Sequence, residues 1–156
     1  MNEMDELENK IIIYRLEGEE YAVSVRHVGS IEKVLPITRV PNTPDFVKGV
    51  INLRGIVTPV IDLKERFYEK ETAFTEETRI IIVNMDDITV GLIVDSANDV
   101  IDIEQDQIEP PPDAIGSIVV DYINGVIKID NRLLILLDLP KVLDKGELNE
   151  LKALEG

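Results

Sequence analysis

Few residues of this chain are placed to make or break covalent bonds. Its one histidine, His27, sits between Arg26 and Val28 with no second histidine to complete a metal pair, and reads as a surface or packing residue rather than a general base. There is no cysteine, hence no thiol nucleophile, thiolate metal site or disulfide framework. The nine glycines form neither a Gly-x-Gly-x-x-Gly turn nor a phosphate loop, so nucleotide binding has no local support. Asp99, Asp102, Glu104, Asp106 and Glu109 gather enough carboxylates to suggest calcium. Their spacing is not that of a calcium loop, however, and Val100, Ile101, Ile103 and Ile108 interleave with them as on a strand with one solvated face. A carboxylate pair for glycoside chemistry is a spatial property, and among 31 acids some pair always looks plausible. The expectation is no enzyme, no cofactor and no metal. What remains is recognition. Arg54 is the lone cation in an apolar phrase, at a turn just before Gly55. Its five-donor fork suits a carboxylate, either a partner's or one of the chain's own that fixes the turn, and at this level the two are even.

Arg54 belongs to a phrase that occurs twice. Gly49 to Leu63 returns as Gly125 to Leu139, fifteen residues without a gap, identical at Gly, Val, Ile and the closing Asp-Leu. Each copy reads as strand, tight turn, strand. Such a repeat, spaced by about half the chain, implies two copies of one unit packed together. Around it the pattern predicts strands at Ile11–Leu16, Tyr21–Val25, Arg79–Asn84, Ile88–Val94 and Val100–Ile103. Val25, Val28 and Ile31 recur every three residues, as in a short helical turn. Thr43-Pro44-Asp45 predicts a helical turn that Gly49 closes, Asp62–Tyr68 a brief helix, and Ser96–Asp99 a polar turn. Pro110-Pro111-Pro112 demands an extended loop. A C-terminal helix starts near Leu139-Pro140, with Gly146 as a break point, and residues 1–9 read as a frayed tail. Many short strands and few helices point to two small five-stranded barrels. The run Leu133–Leu137, apolar at five consecutive positions, is expected between them, buried on both faces.

The bulk numbers agree with a partner-binding role. The chain has 156 residues, 44% of them apolar but only 4% aromatic, so the core must be aliphatic. A net charge of −15 supplies no basic footprint for nucleic acid and disfavours anionic membrane surfaces. No apolar run is long enough to span a bilayer and the N-terminus is unlike a secretory signal, so a cytoplasmic location is the expectation.

Asn42-Thr43-Pro44, then Phe46-Val47-Lys48-Gly49-Val50-Ile51-Asn52-Leu53-Arg54-Gly55 and Pro59-Val60-Ile61-Asp62-Leu63, resemble the chemotaxis coupling protein family, CheW. The resemblance extends back through Gly18-Glu19-Glu20-Tyr21 and forward through Val90–Asp95, covering residues 11–143. It implies a mainly β fold of two SH3-like five-stranded barrels with a pseudo-two-fold relation, short helices and a C-terminal helix over 140–155. The lobes are expected near 14–70 and 79–139, with the first strand shareable between them and 1–10 as a disordered tail. It further implies a non-enzymatic adaptor that joins the cytoplasmic tip of transmembrane chemoreceptors to the regulatory domain of the chemotaxis histidine kinase, at receptor arrays on the inner face of the membrane. By similarity the receptor tip enters a groove between the barrels, with Val25, Val28 and Ile31 on one wall and Val100 on the other. Gly49, Asn52 and Arg54 are expected to matter for binding receptor or kinase. Two positions depart from the family pattern. Many relatives carry an acid in place of Ser30, where it can pair with the arginine at 54, and Ala97 stands where a larger apolar residue is common. The competing expectations are a small-molecule-binding barrel and a structural oligomer built through strand edges.

Overall fold

The structure is a computed structural model and describes residues 9–85, 87–111 and 122–154. Lys10–Leu16 (β1) and Glu19–Ser24 (β2) form a hairpin, followed by a 3-10 turn at Val25–His27 and then Val28–Lys33 (β3). After a long connection come Val47–Leu53 (β4), Ile56–Asp62 (β5) and the helix Leu63–Tyr68 (α1). Arg79–Met85 (β6), Ile88–Val94 (β7) and Ser96–Asp102 (β8) follow, then a 3-10 turn at Gln105–Gln107 and the short Ile108–Glu109 (β9). Ile123–Ile129 (β10), Arg132–Leu137 (β11) and the helices Leu139–Val142 (α2) and Lys145–Leu154 (α3) complete the chain.

Several local expectations need correction. The helical spacing of Val25, Val28 and Ile31 yields only one 3-10 turn before β3 begins, because β-branched residues fit an extended pairing better than a longer helix. Thr43-Pro44-Asp45 makes no helix: Val47 N–H bonds Pro44 carbonyl at 2.9 Å in a single turn, and Gly49 lies inside β4. Ser96–Asp99 is strand, not turn. The C-terminal helix is two helices that break at Leu143-Asp144, before Gly146. Asn9 and Lys10 are tied into the fold, Lys10 at the start of β1 and Asn9 through its carbonyl, which accepts from Ile103 N–H at 2.7 Å. Residues 1–8 and Pro112 lie outside the described residues.

The strands form two sheets, ordered β8-β1-β2-β11-β10-β9 and β3-β6-β7-β5-β4. Strand for strand they are the same: each has one parallel pairing, β2 with β11 and β5 with β7. Each also closes in the same way. The chain leaving β8 returns as β9 against β10, and the chain leaving β3 returns at Thr38, which exchanges hydrogen bonds of 2.8 and 2.9 Å with Val50 of β4. The first sheet therefore has a sixth, two-residue strand.

The lobes do not divide at 14–70 and 79–139. Those segments are the repeats, but β2 leads through the 3-10 turn into the other sheet, and β7 leads through Asp95 back again. One barrel is built from residues 28–62 plus the hairpin β6–β7, the other from residues 96–111 and 122–137 plus the hairpin β1–β2. Each repeat thus lends its first hairpin to its partner. A single residue between β7 and β8 allows a bend but not a sidestep of two strand positions, about 10 Å, so the chain runs on into the facing sheet. The crossover is pinned there, with Asp95 N–H on Arg15 carbonyl at 3.0 Å and Lys64 between Asp95 (2.8 Å) and Glu17 (3.3 Å).

Alternation along the central strands sorts side chains into three cores. Ile11 and Ile13 of β1 fill one barrel with Ile127, Leu134 and Leu136. Ile80 and Ile82 of β6 fill the other with Ile51, Val60 and Ile93. The intervening Ile12, Tyr14, Ile81, Val83 and Met85 face the opposite way and meet in the large core between the barrels, joined by Tyr21, Leu92, Ile135, Leu137 and, from α3, Leu151. Within the run Leu133–Leu137, Leu134 and Leu136 point into a barrel and Ile135 and Leu137 into the interface, as the consecutive apolar positions require, while Leu133 is exposed.

The five identities of the repeat have physical causes. A Cβ on Gly49 would stand 2.0 Å from Thr38 carbonyl oxygen, and one on Gly125 would stand 2.8 Å from Glu109 carbonyl oxygen, so both glycines let the closing segment lie on its strand. Val50 and Val126 make the closing contacts. Ile51 and Ile127 fill the barrels. Asp62 and Asp138 are helix N-caps, and Leu63 and Leu139 enter the shared core.

Gly49→Ala should destabilise by about 3 kcal/mol or more in urea unfolding, whereas Gly55→Ala, strained but facing open space, should cost about 1 kcal/mol. The tyrosine cluster makes a second test. Burial raises the hydroxyl pKa of Tyr14 and Tyr21, and Tyr68, bonded to both Tyr21 and Glu19, is pushed up to about 12, chiefly by burial. A raised folded-state value means full stability below about pH 10 and loss as the pH climbs through about 12. Tyr68→Phe should flatten that alkaline decline in unfolding titrations.

Candidate interaction surfaces

β3 and β8 are equivalent edges of the two sheets, and each carries apolar residues on the face that looks between the barrels, while Ile101 of β8 turns into its own barrel. Ile31 lies opposite Ile81 and Val100 opposite Ile12, two residues of the shared core. Val28 lies opposite Val83 and Ala97 opposite Tyr14, likewise core residues. Cross-strand partners share a face. Ile31 and Val100 are therefore matched positions on the two barrels, as are Val28 and Ala97. Val28 and Ala97 are half-buried against the core, whereas Ile31 and Val100 reach past it and stand 37% and 59% exposed. Val25, half-buried in the 3-10 turn, packs on the same core beside them. The four predicted groove residues thus lie on the shared-core side of the two sheets, Val25, Val28 and Ile31 in and before β3 and Val100 on the equivalent edge strand β8. Ala97 is the smaller member of its pair with Val28.

The second group is not one patch. Gly49 is buried beneath Thr38, and its requirement is packing. Asn52 and Arg54 do act together at the tip between β4 and β5. Arg54 has φ 52° and Gly55 φ 87°, the two positive angles of a hairpin turn whose twist matches the strands. A non-glycine residue in that region is uncommon, and Asn52 Oδ1 secures it by accepting from Gly55 N–H at 2.7 Å. Arg54 donates to Glu32 Oε2 at 3.1 Å while its own side chain stays 69% exposed. Glu32, a residue the sequence did not single out, replaces the acid absent at position 30. Residues 30 and 32 share a face of β3, so an acid one strand period further on reaches the same guanidinium. That period was the available signal.

The groups considered for chemistry are dispersed. Asp102 pairs with Lys10 at 2.8 Å, Glu109 with Lys128 at 3.4 Å, Asp99 approaches Arg132 at 3.7 Å, and Glu104 caps the 3-10 turn with Gln107. His27 sits half-buried in the crossover turn, where burial and then Arg26 hold its imidazole below the ordinary value against a pull from Asp138. A polar depression of about 610 Å³ lies on the outer surface among Arg39, Asn42, Lys48, Glu65 and Glu71, away from both barrel interiors. No helix among the described residues is long and apolar enough to cross a membrane.

Comparison with known proteins gives one consistent result. The CheW-like domain family matches residues 10–147. The chain is 48% identical to the chemotaxis protein CheW of Bacillus subtilis over 87% of each chain. It is 36% identical to the chemotaxis protein CheW of Klebsiella aerogenes, covering 89% of this chain and 84% of that one. Its structure superposes with a TM-score of 0.82 on the scaffolding protein TtCheW of Thermoanaerobacter tengcongensis, at 35% identity, covering 94% and 95% of the two chains.

The Arg54–Glu32 pair is solvent-exposed and should contribute only about 0–1 kcal/mol to folding. A double-mutant cycle of Arg54→Ala and Glu32→Ala in urea unfolding should return a coupling in that range. A much larger value would make the pair a structural element rather than a presented surface.

Proposed function

The chain belongs to the CheW family of chemotaxis scaffold proteins, non-enzymatic adaptors that couple chemoreceptors to the chemotaxis kinase, and we propose that it holds these partners on the two surfaces described above. The cleft between β3 and β8 receives the cytoplasmic tip of a chemoreceptor. An amphipathic helical hairpin is the shape that lays apolar side chains into such a cleft. Val25, Val28 and Ile31 form one wall and Val100 the other. The observation that carries this assignment is the matched exposure of Ile31 and Val100 on edge strands. Edges are ordinarily guarded by charge, and exposed apolar pairs there mark a surface that another protein covers. The protein works in the cytoplasm, against receptor arrays on the inner face of the membrane.

Asn52 and Arg54 form the second surface, and we assign it to the regulatory domain of the kinase. β3 serves both surfaces. Ile31 faces the cleft, while the next residue, Glu32, faces the opposite way and holds Arg54. One strand thus lies between the two binding surfaces, which suits a protein that must let the receptor's state bias the kinase. Coupling of about 1–3 kcal/mol suffices for such control.

Val28→Asp and Val100→Asp should each weaken binding of a receptor-tip fragment by at least about 30-fold, with binding of the kinase regulatory domain unchanged. Val100 is exposed, so its variant separates lost binding from lost folding. Arg54→Glu should do the reverse. Unchanged receptor binding in both valine variants rules out the cleft, and equal loss of both partners in Arg54→Glu rules out the division of surfaces.

A further inference from the structure

Phe46 and Tyr122 are equivalent residues at the rim of the shared core away from the cleft. Each leads into the bulged strand of its barrel, and each offers its carbonyl to an equivalent aspartate, Asp62 N–H at 2.7 Å and Asp138 N–H at 2.9 Å. Arg66 from α1 enters between these two sites. Its guanidinium carbon lies 5.1 Å from the Phe46 ring centre and 5.3 Å from that of Tyr122, within cation–π range of both. Its donors are used across the joint. Nε donates to Val142 carbonyl at 3.3 Å, and one terminal nitrogen reaches Tyr122 hydroxyl at 3.0 Å and Glu147 at 3.4 Å. Phe67 packs on the Tyr122 ring with centres 5.5 Å apart. One planar cation, only 21% exposed, therefore touches an element leading into each barrel and both C-terminal helices. A lysine has neither the flat face nor the fork to do this.

The position of this contact gives it consequence. Phe46 and Tyr122 introduce β4 and β10, whereas the cleft is formed by β3 and β8 at the other end of the same strand orders. Four strand spacings, about 19 Å measured along the sheet, separate them. Each barrel has its own apolar filling, so the barrels can tilt as bodies about the rim that Arg66 ties, and a tilt there changes the spacing of β3 and β8. We propose that Arg66 is a positioning residue that sets the opening of the cleft from the opposite rim of the interface. Its part in signalling rests on the adaptor assignment made above, whereas its part in geometry does not.

The absence of cysteine allows a direct test. Spin labels at Lys33→Cys on β3 and Asp99→Cys on β8, both exposed positions, report the cleft opening in the protein alone. Arg66→Met should shift or broaden the label-to-label distance distribution, and Arg66→Lys should behave like Arg66→Met. Phe46→Leu, which removes one ring, supplies the same readout should Arg66→Met fail to fold. In a second arm, Arg66→Met should weaken binding of a receptor-tip fragment by about fivefold while keeping the affinity for the kinase regulatory domain within about twofold of wild type. A distribution unmoved by both Arg66→Met and Phe46→Leu overturns the role of Arg66. Wild type that binds neither fragment counts against the adaptor assignment and leaves the label result to stand by itself.

Discussion

The apolar core between the barrels is the constraint on which the rest of this structure depends. An isolated small barrel shows water a polar outer face. Here β1, β2 and β11 of one barrel and β5, β6 and β7 of the other are buried on both faces, so each barrel would expose a broad apolar wall without its partner. The exchange of hairpins between repeats makes the separation impossible in any case, since neither continuous half of the chain contains a complete barrel. Fully buried strands also fix register strongly, because a slip of one residue would reverse which core each side chain enters. The two halves therefore form one folding unit, and the surfaces at its rims are placed by the packing between them.

The rims differ because the strands at the two ends of each sheet carry different side chains. Toward β4 and β10 the core is capped by Phe46, Phe67, Tyr122 and the C-terminal helices, with Arg66 threaded among them. Toward β3 and β8 no described residue covers the last apolar row. Ile31 and Val100 remain partly open on a molecule that otherwise carries a strong negative charge. That charge keeps copies apart and leaves a narrow apolar cleft as the place where a partner gains most from contact. Arg54, held in a left-handed backbone conformation and still largely exposed, is the corresponding feature on the other face of β3. Its pairing with Glu32 orients the guanidinium without burying it.

Much of this could be read from residue patterns. Alternation and turn residues locate β1, β5, β6, β7 and α1 to within a residue or two, and the doubled phrase locates both hairpins. Local misreadings arise where context outweighs residue type. Thr43-Pro44-Asp45 has the residues of a helix start yet makes one local turn before Val47 enters β4, and Ser96–Asp99, with the residues of a turn, is drawn into pairing with β1, far away in sequence. Propensity is a weak prior against that. At the candidate site, Val25, Val28, Ile31 and Val100 were legible through family resemblance and Arg54 through its isolation in an apolar phrase. Glu32 was missed because the expected acid belongs at another position. Gly49, expected at a binding surface, is also the position that admits Thr38.

The sequence by itself determined that there are two copies of one unit, that their strands are buried on both faces, and that the surfaces left over are for recognition. These follow from identity at fixed spacing and from runs of aliphatic residues that no single solvated face can absorb. Only the tertiary structure decided which hairpin completes which barrel, which edges form the cleft, and which acid meets Arg54. The physical reason is that a repeat specifies the shape of a strand's partner but not which of two equivalent copies supplies it. Here that choice is made by connections of three residues and of one, too short for the chain to return to its own sheet.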